Sequence, residues 1–323
     1  MVAKVCYKIL VVLAIILLIF SLTILLYLNK DGPLPYETAL IIPKNSSSSN
    51  IAEKLYQNQI ISSPSLFRII NLFGRPFYSL KAGEYLFKSK ITPLKVIEIL
   101  IKGKSEIHCM TIPEGIASIV VEEQIKNEYL LDGNIDNIAE GSILPETYCY
   151  SYGDSKMKLL FRMQEAQRKL LAEIWPKHID EGAIKSVYEA VILASIVERE
   201  AKVKDEQPRI ARVFINRLKL NMRLQADPTT IYGITYGKKL ERSLTKADLM
   251  ENTPYNTYVI YGLPPTPIAN PGRDALKAVL NPAVGNEIFF VLNSKDRHSF
   301  SSDLATHNKN VEIYRNQVRN HEK

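Results

Sequence analysis

The longest apolar stretch of the chain lies near its start and predicts a membrane-spanning helix. Residues Ile9–Leu28 are almost all Ile, Leu, Val, Phe and Ala, and no charged residue interrupts them. About twenty helical residues, at about 1.5 Å each, cross a hydrocarbon core of about 30 Å. Lys4 and Lys8 precede the stretch without acidic residues, so we expect residues 1–8 to form a cytoplasmic tail. A cleaved signal peptide is the alternative, but it has a shorter apolar region and an A-x-A-like cleavage site, which is missing after Leu28.

A small unit of short strands and short helices follows this stretch. The spacing of apolar residues predicts a strand, two helices, a second strand and a third helix: Leu34–Ile42, Ile51–Gln57, Pro64–Leu72, Gly83–Phe87 and Thr92–Lys102. The serine-rich run Asn45–Asn50 can cap the first helix, and Gly103 can end the third. This order resembles a LysM-like module, a small fold that binds glycan chains. A spacer that lifts the next domain away from the membrane is the alternative.

The remaining residues predict a larger α+β domain. Strands are expected at His108–Ile112, Ile288–Leu292 and His298–Ser301, and helices at Ile116–Leu130, Met157–Ile174, about Ala183 to Glu200, Pro208–Leu220 and Leu304–Arg319. The segment Glu140–Tyr150 reads as a loop. Met222–Asn281 is rich in Pro, Gly, Tyr, Asn and Thr, which predicts long loops with one short helix at Asp274–Leu280. Loops this long inside a compact domain are usually functional.

Two carboxylates near the end of an apolar segment are the main chemical signal. The stretch Ile192–Ala201 reads ILASIVEREA and contains Glu198 and Glu200. A carboxyl group that is desolvated by apolar neighbours has a raised pKa and can hold a proton near neutral pH, as a general acid must. The alternative is that both glutamates face solvent in the last turn of an amphipathic helix. They differ by about 200° around a helix, and periodicity does not decide which one faces a cleft.

Composition narrows the function further. The formal net charge is +7, and three of the positive charges flank the apolar stretch. The mild excess that remains argues against a dedicated nucleic-acid-binding protein and suits work beside an anionic surface or polymer. The five histidines are scattered without a zinc-ligand spacing, and neither a G-x-S-x-G nucleophile motif nor a glycine-rich phosphate loop occurs. We therefore expect no metal and no cofactor. Whether Cys109 and Cys149 pair stays open.

Amide, hydroxyl and aromatic side chains are concentrated in the predicted loop region. Amides and hydroxyls match the hydroxyl groups of sugars, and aromatic rings stack on the apolar faces of pyranose rings. The alternative is that these residues only build turns, in which Asn, Pro and Gly are common. The candidate residues are Gln225, Asp227, Tyr232, Tyr255, Asn256, Thr257 and Tyr258.

Four blocks together resemble the MltG/YceG family of membrane-anchored endolytic peptidoglycan transglycosylases. They occur in the family's order, and the apolar anchor and the segment EGSILPETY also match. The blocks are Ile192–Ala201, NRLKLNMRLQADPTTIYG at Asn216–Gly233, PYNTYVIYGLPPTPIANPG at Pro254–Gly272 and FFVLNSKDRHSFSSDLATHN at Phe289–Asn308. The resemblance covers nearly the whole chain. It implies the domain order 1–8 cytoplasmic tail, 9–28 transmembrane helix, 29–106 LysM-like module and 107–323 mixed α/β catalytic domain.

The resemblance also implies a reaction and its residues. Lytic transglycosylases cut the bond between N-acetylmuramic acid and N-acetylglucosamine without water, so one carboxyl group suffices where hydrolases need two. The family motif implies Glu200 as the catalytic acid, with Glu198 beside it in a structural role; Ala201 stands where related enzymes often have Ser or Thr. Six residues are implied as sugar contacts: Gln225, Asp227, Tyr232, Tyr255, Asn256 and Thr257. For Asp227, which precedes a proline, a plain turn role is the alternative.

The implied partners are peptidoglycan glycan strands, the membrane and, as candidates, the peptidoglycan polymerases. The implied location is the cell inner membrane, crossed once, with the catalytic domain in the periplasm. There it would terminate glycan elongation by cutting nascent strands. Two other functions fit the same residues: a non-catalytic glycan-binding scaffold of the cell-wall synthesis machinery, and a muramidase that hydrolyses the same bond.

Overall fold

The computed structural model describes residues 2–179, 182–293 and 297–321. The chain divides into two compact units. The first comprises Met1–His108 with Cys149–Asp154, and the second comprises Cys109–Tyr148 with Ser155–Lys323. Each unit has its own cluster of buried apolar side chains, and each is described by itself.

The apolar stretch at the start of the first unit forms one long helix, α1, at Val2–Asn29. Its segment Lys4–Asn29 is long and apolar enough to cross a membrane, with a mean hydropathy of 3.4. Nearly all of its large apolar side chains are exposed, as expected of a helix whose surroundings are not protein. The predicted helix is therefore confirmed, and its passage through a membrane stays a prediction.

The rest of the first unit follows the predicted order of strands and helices. Strand β1 (Thr38–Ile42) pairs antiparallel with β2 (Gly83–Phe87), and the other elements are α2 (Ser48–Gln57), α3 (Pro64–Gly74) and α4 (Pro93–Lys102). Ser47 caps α2 by accepting from the Asn50 N–H, and Gly103 ends α4 at a φ of 66°, in the left-handed region that favours glycine. Strand β1 begins four residues later than predicted. The likeness to a LysM-like module stays a prediction.

The second unit is built around a central helix. Helix α7 (Val187–Glu200) packs against α8 (Gln207–Lys219) and α11 (Arg273–Leu280). The other helices of this part are α5 (Ser118–Asn127), α6 (Lys156–Ile174), α9 (Asp227–Thr235), α10 (Lys246–Met250) and α12 (Leu304–His321). Apolar side chains from α6, α7, α8 and α11 form the main core. Because α7 lies between two helices, most of its circumference is apolar rather than one face.

Two further two-stranded sheets pair β3 (Ile107–Thr111) with β4 (Thr147–Ser151), and β5 (Phe289–Leu292) with β6 (His298–Ser301). The second pair is antiparallel, and β5 is half-buried. Cys109 and Cys149, which lie in β3 and β4, are disulfide-bonded, whereas Cys6 is exposed and free.

The predicted loops contain more regular structure than the sequence pattern indicates. Strand β4 occupies the end of the predicted loop Glu140–Tyr150, and α9 and α10 lie inside the predicted loop region. Both helices are short and lack an apolar stripe; α10 depends on a capping box between Thr245 and Asp248. Helix α7 begins at Val187 rather than near Ala183, because Ser186 accepts a hydrogen bond from the Glu189 N–H and caps it.

Candidate active site

The last turn of α7 follows a fully buried and almost entirely apolar segment. All eight residues of Ala190–Val197 are buried. Glu198, Arg199 and Glu200 follow before the helix ends, and both glutamates are half-buried while Arg199 is exposed. The alternative in which both glutamates face open solvent is therefore wrong. The rigid helix fixes the position of this polar turn.

Glu198 is well paired. Its Oε2 accepts from the backbone N–H of Gly272 at 2.9 Å. Burial raises the pKa of Glu198, and the hydrogen bond from Gly272 opposes that rise. Lys204 lies close by and forms salt bridges with Glu114 at 2.5 Å and with Asp274 at 3.5 Å. Glu198 thus belongs to a network of charged side chains with a hydrogen-bond donor of its own.

Glu200 is poorly paired. Burial and, to a smaller extent, the negative charge of Asp227 raise its pKa to about 8, against the opposing positive charges of Arg217 and Arg199. Within the described part of the chain, its carboxyl group makes no hydrogen bond or salt bridge. A carboxyl group in these surroundings holds its proton at neutral pH and has no protein acceptor that competes for it. This is the state that a general acid requires.

Asp227 and Tyr258 form a pair next to Glu200. Asp227 is exposed and is the first residue of α9, followed by Pro228 in the first turn. The Tyr258 hydroxyl donates to Asp227 Oδ1 at 2.6 Å. Burial raises the pKa of Tyr258, as do its bond to Asp227 and the charge of Glu200. Asp227 therefore begins a helix and holds the Tyr258 hydroxyl in place. A role in a turn alone would not account for the bond to Tyr258.

Arg217 supplies a buried positive charge near Glu200. Its guanidinium group donates from Nε to the Ile288 carbonyl at 2.7 Å and from Nη1 to the Leu224 carbonyl at 2.6 Å. These bonds hold the side chain in place, and its charge favours the ionised form of Glu200. A fixed cation of this kind can stabilise the carboxylate after it has given up its proton.

Gln225, one of the predicted sugar contacts, is exposed. Its φ is 50°, an uncommon backbone conformation for a residue other than glycine, and its N–H donates to the Thr257 carbonyl at 3.0 Å. Backbone conformations of this kind often occur at functional sites. The constrained backbone projects an exposed amide two residues before Asp227.

Asn256 and Thr257 are buried and have internal partners. Thr257 Oγ1 accepts from the Ala226 N–H at 3.0 Å and lies 2.8 Å from Thr229 Oγ1. Asn256 Oδ1 accepts from the Thr230 hydroxyl at 3.0 Å, and its amide nitrogen donates to two backbone carbonyls. Both side chains are 0% exposed. Their place in the fold is that of supports for α9 and the loop before it, rather than of a surface open to a ligand.

Tyr232 and Tyr255 lie in an aromatic cluster with Tyr236. The Tyr232 ring is 5.0 Å from Tyr255 and 6.2 Å from Tyr236, measured between centroids, and only Tyr236 is largely exposed. The Tyr232 hydroxyl donates to Glu140 Oε2 at 3.2 Å. Tyr232 also lines a cavity together with Pro228, the residue that follows Asp227.

That cavity has a volume of about 280 Å³ and a positively charged rim. Arg199, Lys238 and Lys239 contribute the charges, and no acidic residue lines it. Its remaining walls are mostly apolar: Gly115, Ile116, Ala117, Val120, Pro228, Ile231, Tyr232, Thr235, Gly237 and Ile268. In the described residues, no group of three or more His, Cys, Asp or Glu side chains is arranged to hold a metal ion.

The structure thus brings Glu200, Asp227 and the segment around Gln225 together, and it adds residues that the sequence interpretation missed. Arg217 carried no sequence signal, because it lies in the middle of a predicted helix. Tyr258 was recognisable only as one of many polar residues in the loop region. Glu140 is a third carboxyl group with a pKa raised by burial, and it accepts from the Ser118 N–H at 2.8 Å.

Comparisons with known proteins agree on one family. The sequence matches the YceG-like family over residues 40–313. It is 30% identical over 305 residues to the endolytic murein transglycosylase of Bacillus subtilis (strain 168), covering 84% of this chain and 83% of that protein. It is 24% identical to the endolytic murein transglycosylase of Streptococcus pneumoniae serotype 2 (strain D39), covering 84% of this chain and 57% of that protein.

A solved structure gives the same result. A YceG-like protein of Listeria monocytogenes aligns with 85% of this chain and 99% of its own, with a TM-score of 0.51 and 27% sequence identity. The family match covers most of the chain, and the Bacillus subtilis relative aligns over more than four fifths of it. This chain belongs to the YceG-like family.

Proposed function

We propose that this protein is a peptidoglycan transglycosylase, a lyase in which Glu200 is the general acid. The single observation that carries the proposal is the state of Glu200: half-buried, without a hydrogen-bond partner in the described residues, and with its pKa raised to about 8. The names of the Bacillus and Streptococcus relatives support the substrate and the type of reaction.

In the proposed reaction, Glu200 donates its proton to the oxygen that links N-acetylmuramic acid to N-acetylglucosamine. The bond between this oxygen and the anomeric carbon of the muramic acid then breaks. The 6-hydroxyl group of the same sugar attacks the anomeric carbon and gives its proton to the Glu200 carboxylate. A 1,6-anhydro end forms, no water is consumed, and Glu200 is protonated again for the next cycle.

The neighbours of Glu200 have distinct proposed roles. Asp227 adds to the effect of burial in favouring the protonated form of Glu200, and Tyr258 holds Asp227 in place. Arg217 stabilises the carboxylate that forms when the proton leaves. Gln225 is a sugar contact, Tyr232 and Tyr255 form an aromatic wall, and Asn256 and Thr257 support α9 and the loop before it.

The proposed chemistry takes place at the membrane surface. We propose that α1 is retained as a single-pass anchor, with Lys4 and Lys8 on the cytoplasmic side and the second unit outside. The first unit is proposed to bind glycan as a LysM-like module. An anchored enzyme reaches strands that have just left the peptidoglycan polymerases, so cutting inside such strands would end their elongation.

A muramidase is the second candidate, because Asp227 is a second carboxylate close enough to influence Glu200. In a hydrolase, such a group would activate a water molecule or form a covalent intermediate. A non-catalytic glycan-binding scaffold would need neither the Glu200 nor the Asp227 carboxyl group.

The product of purified sacculi digested by the full-length protein distinguishes these functions. We expect fragments that end in 1,6-anhydromuramic acid, detected by mass spectrometry. Fragments heavier by one water would identify a hydrolase, and sacculi left intact under conditions in which the protein binds glycan would identify a scaffold.

A further inference from the structure

A second cavity lies in the second unit, beside the Glu198 side of α7. It has a volume of about 680 Å³ and is formed where the end of α6, the start of α8 and the length of α11 meet. Its floor is apolar, with Ile174, Pro208, Ala278 and Leu280. It shares Lys204 and Asp274 with the charged network around Glu198.

Gln207 is the feature that distinguishes this cavity. It lines the cavity, is 1% exposed, and its Oε1 accepts no hydrogen bond from any residue that the structure describes. Buried polar atoms almost always have a partner, because an unmatched one loses its bonds to water without compensation. A half-turn of the amide exchanges its oxygen and nitrogen, so Gln207 can present either an acceptor or a donor to a ligand.

The rim of the cavity carries charges of both signs that have no partner among the described residues. Lys177 and Lys277 are exposed and form no salt bridge with any described residue, and the same holds for Glu173. The other charged residues are neutralised: Lys204 by Asp274 and Glu114, and Asp205 by Arg297. A ligand that forms an ion pair with each of the three rim charges without a described partner has at least two negative groups and one positive group.

We propose that this cavity binds a short zwitterionic peptide, namely the stem peptide that muramic acid carries in peptidoglycan. A peptide group offers one donor and one acceptor, which complements the amide of Gln207. Carboxylates of the stem pair with Lys177 and Lys277, and the amine of its third residue pairs with Glu173. The apolar floor receives the alanine methyl groups. The assignment to a stem rests on the proposed function, whereas peptide binding itself does not.

The position of the cavity suits a peptide attached to a sugar at Glu200. Glu198 and Glu200 lie on different sides of one helix, and the width of a helix with its side chains is about 10–12 Å. Five extended residues span about 17 Å. An extended stem is therefore longer than the width of the helix that separates Glu200 from the Glu198 side, where the cavity shares Lys204 and Asp274 with the charged network.

Titration of the full-length protein in detergent with a synthetic pentapeptide tests the proposal. The peptide is L-Ala-γ-D-Glu-L-Lys-D-Ala-D-Ala, and the protein carries Glu200→Gln so that no turnover is involved. We expect saturable binding that Gln207→Met weakens about tenfold, the loss expected from an unmatched buried hydrogen bond. Lys177→Ala with Lys277→Ala, both at exposed positions, is expected to weaken binding as much without affecting folding.

Two controls make the result specific. Lys309→Ala removes an exposed lysine of α12 and is expected to leave binding unchanged. A peptide of the same net charge and scrambled L-residue sequence is expected to bind at least tenfold more weakly. Equal binding by all variants, or equal binding of the scrambled peptide, would overturn the proposal, as would no binding at millimolar peptide.

The result for peptide binding can be distinguished from the result for the proposed enzymatic function. Peptide binding without any cleavage of sacculi by the wild-type protein would leave this inference standing and remove the enzymatic one. Cleavage without peptide binding would do the reverse. With both present, Gln207→Met is expected to raise KM severalfold for strands that carry stems and to leave KM unchanged for strands stripped by an amidase.

Discussion

The two sides of the last turn of α7 contain the same carboxyl group in two different environments. Glu198 accepts a backbone hydrogen bond from Gly272 and lies near Lys204, which is a setting that tolerates a negative charge. Glu200 has no such donor among the described residues, and the nearby Asp227 opposes its ionisation. Burial raises the pKa of both, yet only Glu200 lacks a group that would hold the ionised form by a hydrogen bond.

This difference is the basis on which we propose two roles for two residues of one type on one helix. A carboxylate that receives an N–H bond is suited to a structural role, since protonation would weaken that bond. A carboxyl group without a donor stays protonated and remains available for proton transfer. The predictions that follow test whether the two environments have these consequences.

The largest effect is expected from removing the proton of Glu200. Glu200→Gln keeps the size of the side chain and removes its acid, so cleavage of sacculi should fall by about 10²–10⁴-fold. The matched control is Glu198→Gln, which retains an oxygen for the Gly272 N–H and should keep activity within about tenfold of wild type. Release of soluble fragments is the measurement, and the opposite order of the two variants would reverse the assignment of the acid.

The second-largest effect is expected in how the free energy of unfolding depends on pH, which should differ between the environments of Glu200 and Glu198. The pKa of Glu200 is about 8 in the folded protein and about 4.3 in an unfolded chain, so the folded state binds the extra proton between these values. Wild-type stability therefore falls as pH rises through this window, and Glu200→Gln should become the more stable protein above pH 8. Above pH 8 we expect the free energy of unfolding of Glu200→Gln to exceed that of the wild type by about 1–3 kcal/mol, a range that allows for the partial exposure of the side chain. Near pH 4 we expect almost no difference.

Denaturant unfolding of the full-length protein in detergent at pH 4, 6 and 8.5 measures this gain. Glu198→Gln serves as the comparison at each pH. A gain for Glu200→Gln that does not grow with pH would mean that Glu200 is ionised at neutral pH.

Asp227 is expected to act through the pKa of Glu200. Asp227→Asn removes a negative charge near the acid, so the pH above which activity declines should move to lower pH by about one unit or less. The shift is only partial because burial is the larger cause of the raised pKa. Rates of fragment release between pH 5 and 9 give the profile. An activity that is lost at every pH, with water-containing products in the wild type, would instead identify Asp227 as the second carboxylate of a hydrolase.

The smallest effect is expected from Tyr258→Phe. This change removes the hydrogen bond to Asp227 Oδ1 and keeps the ring, so activity should fall by less than about tenfold. The pH profile of fragment release should shift less than it does for Asp227→Asn, since Asp227 keeps its charge. Tyr261→Phe is a suitable control because Tyr261 is exposed and has no hydrogen bond among those described. A larger effect than that of Asp227→Asn would show that Tyr258 contacts the substrate itself.

The order of elements and the segment that contains the acid were predictable from the sequence, because both depend on local patterns. Twenty apolar residues, the cap before α2 and the glycine after α4 act over a few positions. Short helices such as α9 were nevertheless missed, because the sequence of α9 lacks a helical apolar stripe. This helix is stabilised instead by Asn256 and Thr257, which lie more than 20 residues away along the chain.

Only the tertiary structure decided how the candidate residues divide between surface, support and acid. The donor to Glu198 comes from Gly272, and the charge that acts on Glu200 comes from Asp227; both lie in other segments of the chain. Asn256 and Thr257 have the composition of sugar-binding residues and yet are buried. A pKa depends on the solvent, charges and donors within a few ångströms of the group, and those neighbours are set by packing between segments that are distant in sequence.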